Sequence, residues 1–168
     1  KDQNVQVDVM SPNILAIDVE QDVYFGTVLA GQTSDQYRFW ISYQNTQPTG
    51  TQWSATVTAT AFEEYVWDEA QQTEVPTGTT FSYDALTIYP GASPDWDAAG
   101  VGFGTTTTFS GTDPGISDPV TIMTGPEDVR GIVSPGGSET DDPYLQITPP
   151  SGAVQANYRA TLTYTLTG

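Results

Sequence analysis

The sequence predicts an all-β fold: an antiparallel β-sandwich of jelly-roll or immunoglobulin-like topology, with little or no helix. Three observations predict it. Apolar and polar residues alternate along several segments, turn-forming clusters separate those segments, and helical periodicity is nearly absent. Alternation implies strand because successive side chains point to opposite faces, so one face is buried while the other meets water.

The first segment is 4–10, where Val5, Val7 and Val9 alternate with Asn4, Gln6 and Asp8. After Ser11-Pro12, Leu15, Ile17 and Val19 repeat the pattern. Tyr37, Phe39, Ile41 and Tyr43 predict one strand, with Arg38 and Ser42 on its other face. Trp53, Ala55, Val57, Ala59 and Ala61 alternate with Ser54 and a row of threonines, and Tyr158, Ala160, Leu162, Tyr164 and Leu166 do the same at the C-terminal end. The β-branched threonines suit the outer face of a pleated strand. Weaker patterns predict strands over 23–29, 81–89, 105–109, 120–123, 129–133 and 144–148. Turn signals such as Gln47-Pro48-Thr49-Gly50, Asp113-Pro114-Gly115 and Ser134-Pro135-Gly136-Gly137 divide them. Residues 63–72 read equally as a helical turn or a hairpin tip. No repeat or linker interrupts residues 1–168, which are expected to form a single domain, with 1–12 as a candidate N-terminal donor strand.

Composition removes many function classes. The 168 residues contain no Cys and no His, so imidazole- or thiolate-based zinc sites, haem ligation, thiol nucleophiles and Ser-His-Asp triads are excluded. With Lys+Arg 4 against Asp+Glu 21, the net charge is -17, which repels a phosphate backbone. No apolar run approaches the roughly 20 residues that span a bilayer. The chain opens at Lys1 without a charged segment leading into an apolar one, and is expected to be the mature form of an exported protein.

Some residue types could carry chemistry. Adjacent carboxylates occur at 63–64, 68–69, 127–128 and 141–142, and Asp95 and Asp97 flank Trp96. Neighbours on a strand face opposite ways, which is a poor arrangement for the two facing carboxyls of a glycosidase. Calcium suits them better, because a hard cation takes carboxylate and carbonyl oxygens from turn-rich loops. The candidate ligands are Glu139, Asp141 and Asp142 in one loop and Asp113 and Asp118 in another; a solvated acidic loop is the alternative. No cofactor is required. Trp40, Trp53, Trp67 and Trp96, with Tyr65 and Tyr89, could form a sugar-stacking platform. Trp53 reads as core, leaving Trp67 and Trp96 as glycan-stacking candidates. The run Gly100-Val101-Gly102-Phe103-Gly104 does not read as a phosphate loop, since a threonine strand follows it and the one Lys is residue 1.

The succession Val23-Tyr24-Phe25-Gly26-Thr27-Val28-Leu29-Ala30-Gly31 is similar to a strand-turn of prokaryotic cell-surface β-modules. Gln52-Trp53-Ser54-Ala55-Thr56-Val57 and Tyr158-Arg159-Ala160-Thr161-Leu162-Thr163-Tyr164-Thr165-Leu166 resemble the two signature strands of WxL-type cell-wall proteins, with Ala55 in place of Leu and Tyr164 in place of Trp. The composition is equally similar to exported β-sandwich proteins that polymerise, such as the TasA-like matrix fibre and archaeal bundling-pilus subunits. The first resemblance implies a cell-wall or carbohydrate-binding module; the second implies subunits joined by donor-strand exchange.

The expectation is a non-enzymatic, secreted cell-surface protein, the subunit of a filament or layer. Its partner would be itself, head to tail, with Val5, Val7 and Val9 donated to the next subunit; cell-wall glycan is the alternative partner, and nucleic acid and membrane insertion are not expected. A donated strand gains a row of main-chain hydrogen bonds, and head-to-tail donation generates an open filament.

Overall fold

The computed structural model describes residues 15–46, 52–129 and 131–168. Strands dominate, and all pair antiparallel. The first, β1 (Leu15–Val19), carries Leu15, Ile17 and Val19 inward, as the alternation predicts. The expected strand 23–29 does not form. Val23, Phe25 and Val28 turn partly inward, but Gly26 adopts a φ of 69° and the segment joins no ladder. Alternate burial here reflects a loop lying on the core rather than a strand.

The expected strand 37–43 is broken in two. β2 (Tyr37–Arg38) and β3 (Ile41–Asn45) join different sheets, with Phe39 and Trp40 at the crossing. The inward row survives the break: Phe39, Ile41 and Tyr43 are all buried. β4 (Trp53–Ala59) has the most regular pattern in the molecule, every second residue being buried. Residues 63–72 resolve as a hairpin. β5 (Phe62–Asp68) and β6 (Thr73–Phe81) flank a tip in which both oxygens of Asp68 accept hydrogen bonds, Oδ1 from the amides of Ala70 and Gln71 and Oδ2 from the Gln71 side chain.

A 3₁₀ turn at Tyr83–Ala85, capped by Ser82, leads into β7 (Leu86–Tyr89). The sequence pattern missed the short helix α1 (Pro94–Ala98), whose start carries Pro94 and two acidic residues, favoured at a helix N-terminus. The remaining strands are β8 (Gly102–Phe103), β9 (Thr107–Thr108), β10 (Val120–Gly125), β11 (Gly131–Val133), β12 (Tyr144–Ile147), β13 (Asn157–Arg159) and β14 (Leu162–Thr167).

Among the described residues the strands form four sheets, in the orders β1-β3-β11, β14-β4-β10-β8, β2-β12-β7-β9 and β13-β5-β6. The first two bring their buried rows together: the rings of Tyr43 on β3 and Trp53 on β4 lie 6.3 Å apart. Around this contact the core gathers Ala55, Val57 and Ala59 of β4, Ile122 and Met123 of β10 and Val133 of β11. Small residues along β4 let the facing aromatic rings fill the interior. Phe62, Phe81 and Tyr158 pack in series where the β13-β5-β6 sheet meets this core, the first pair stacked and the second tilted, with ring centroids 4.8 Å apart at each step. Among the described residues no helix is long and apolar enough to cross a membrane.

Candidate functional site

Val5, Val7 and Val9, the expected donor strand, lie outside the described residues. The described chain does contain free sheet edges that could receive a strand, and they differ in character.

β14 is the first strand of its sheet, bonded to β4 in the register Leu162↔Ala59 through Thr167↔Ser54. Its other edge has no ladder partner among the described residues, although β1 lies against it. The strand reads Leu-Thr-Tyr-Thr-Leu-Thr, with no charge and no proline. Leu162, Tyr164 and Leu166 point inward but are only half-buried, and β1 shows the same incomplete cover along Leu15, Ile17 and Val19. Two neighbouring edge strands thus hold apolar rows that the chain covers in part.

The free edge of β6 is longer but blunted. Pro76 has no N–H to offer, Gly78 takes a φ of 81°, and Glu74 carries charge toward Arg159 and Asn157. Such features discourage a new strand, whereas an uncharged, regular edge templates one.

The acidic loops spend their carboxylates on local order. In the loop 138–142, Ser138 Oγ donates to Asp141 Oδ2 at 2.6 Å, the Gly137 amide donates to Asp142 Oδ1 at 3.2 Å, and Glu139 reaches Arg38 at 3.7 Å. In the other loop, Asp113 Oδ1 accepts the Gly115 amide at 2.7 Å, while the Asp113 carbonyl accepts the hydroxyl of Tyr83 at 2.6 Å. Burial raises the pKa of the Tyr83 phenol, and the charges of Asp118, Asp113 and Asp84 raise it further. The Asp118 amide donates to the Ser110 carbonyl at 2.8 Å, closing the loop. Among the described residues no three acidic side chains are grouped to hold a metal ion.

The tryptophans separate as follows. Trp53 is 3% exposed and central to the core, as the alternation implies. Trp96, on α1, is partly buried against the core, so it offers less open ring than its acidic loop-like context suggested. Trp67 is 55% exposed near the tip of the β5–β6 hairpin, and Trp40 stands at 52% beside the β2–β3 crossing. Tyr65 is occupied, its ring lying 4.6 Å beneath the Arg159 guanidinium. The edge position of β14 could not have been found from alternation, which reads the same in an edge strand as in a central one.

No family model matches the chain, and no curated protein and no solved structure matches it.

Proposed function

We propose that this protein is a non-enzymatic extracellular structural subunit that assembles into a surface filament or layer by β-strand donation between copies. The observation that carries the reading is the uncharged free edge of β14 with its half-buried row of Leu162, Tyr164 and Leu166. In a chain of net charge -17, a six-residue strand without charge is a surface that adds nothing to the repulsion between two copies. Residues 4–10 bring a matching period: Val5, Val7 and Val9 repeat at the spacing of the β14 row, so main-chain pairing and apolar burial can be satisfied in one register.

Deleting residues 1–10 tests the reading. The truncated chain stays monomeric and soluble while the full chain polymerises; equal assembly by both chains removes the donor strand from the account.

A further inference from the structure

We infer that the groove between β8 and β9 is a binding site for a neutral oligosaccharide, independent of the assembly surface on β14. The groove, about 570 Å³, opens where the chain passes from one sheet to another. β8 ends the sheet built on β4 and β10, and five residues later β9 ends the sheet built on β7 and β12. The crossing and the segment 118–121 enclose the space between these two short edges.

The glycine run at 100–104, which fits no phosphate loop, finds its role here. A Cβ on Gly104 would lie 2.6 Å from the Thr121 carbonyl, and one on Gly102 would lie 2.8 Å from Thr124 Oγ1. Only glycine lets β8 come this close to β10, and the bulge in β10 between Thr121 and Met123 lies beside it. Close approach leaves the groove open above the main chain instead of filling it with side chains.

What lines the opening defines the ligand. Phe103, half-buried against the core, forms the apolar part of the lining, Thr105, Thr107, Ser110 and Thr121 bring hydroxyls, and Asp118 is an exposed acidic residue. Thr107 Oγ1 donates to the Thr105 carbonyl at 2.9 Å, which fixes the lip. Hydroxyls both donate and accept, a carboxylate accepts from paired hydroxyls, and an aromatic face takes the apolar C–H side of a sugar ring. Among the described residues no Lys or Arg lines the groove, and the molecule is strongly acidic, so phosphorylated sugars and uronates are repelled. An apolar ligand would strand the hydroxyl rim without partners. A neutral sugar satisfies ring, hydroxyls and carboxylate together.

The test is titration calorimetry of the full chain against neutral hexasaccharides of glucose, N-acetylglucosamine, mannose, galactose and xylose, with an oligogalacturonate as the acidic control. At least one neutral probe binds and the control does not. Phe103→Ala weakens that binding about tenfold, the scale of one lost aromatic contact, and Asp118→Asn weakens it less. Phe103 also contributes to β8, so Thr121→Arg, which blocks the groove from an exposed position, is run beside it with circular dichroism on every variant. Absence of binding by all five neutral probes, preference for the acidic control, or binding unchanged in a folded Thr121→Arg chain overturns the assignment. Assembly by the β14 edge is unaffected in either case.

Discussion

Gly125 on β10 lies directly beneath the indole of Trp53 on β4, its register partner: a Cβ at position 125 would fall 1.8 Å from Cε2 of the ring. The largest side chain of β4 is therefore accommodated by the absence of one on β10. This contact sits beside the tilted Tyr43–Trp53 ring pair that joins the two sheets. Gly125→Ala forces the indole or the strand to shift, and overfilling of this kind costs about 1–3 kcal/mol. Urea denaturation measures it. Adding Trp53→Leu to Gly125→Ala costs less than the sum of the two single changes, because the second removes the ring that the first collides with. Strict additivity would show that the two residues do not share this space.

Tyr43 and Tyr164 give the fold an alkaline limit. Burial pushes both phenols well above the ordinary tyrosine range, and Tyr43 is raised further by the nearby Tyr164. A raised phenol pKa means that the folded state holds its proton more tightly than the unfolded chain does. The contribution is therefore fully present below the unfolded value of about 10 and is lost as pH climbs above it. The urea midpoint stays level, as far as tyrosine is concerned, between neutrality and about pH 9, then falls. The Tyr43 hydroxyl has no hydrogen-bond partner among the described residues, so Tyr43→Phe leaves stability at pH 7 unchanged or higher and makes the alkaline fall shallower. A variant markedly less stable at pH 7 would mean that the hydroxyl is satisfied in solution.

Tyr83→Phe removes the hydroxyl that donates to the Asp113 carbonyl. The expected cost is about 1 kcal/mol. It should appear as faster amide exchange across 111–118 rather than as global loosening, because this bond ties that loop to the turn at 83–85. Protection lost evenly over β4 and β10 would contradict a local role.

If copies assemble as proposed, self-repulsion sets the conditions. At a net charge of -17, copies approach more readily as salt shortens the screening length to about 8–10 Å near physiological strength, and divalent cations add bridging. Light scattering should rise with sodium chloride and more steeply with calcium or magnesium. Scattering indifferent to both would separate assembly from charge.

Much of this architecture was legible because burial and period coincide. The inward rows of β1, β3, β4 and β14 follow the alternation residue by residue. The failures share one cause: period reports which side chains turn inward, not which backbones pair. Val23, Phe25 and Val28 turn inward without a ladder, and the single row from Tyr37 to Tyr43 divides between two sheets. β6 was hidden by Pro76 and Gly78, residues that mark an edge strand as readily as they mark a loop. The groove at β8 and β9 was invisible because Phe103 and Asp118, which both line it, are separated in sequence and only the folded chain places them on one groove.

The free edge of β14 can be closed without disturbing its inward row. Thr163→Lys together with Thr165→Lys places charge on the outer face of the strand, a substitution that blocks edge-to-edge pairing. The altered chain keeps its melting temperature within a few degrees and loses assembly. Filaments that persist would move the acceptor to another edge while leaving strand donation intact.

Negative-stain electron microscopy of the full chain, with and without residues 1–10 and at low and high salt, tests the central claim most directly. The account predicts regular filaments or sheets from the full chain, promoted by salt, and monodisperse particles from the truncated one. Monodisperse particles from the full chain under every condition would contradict it.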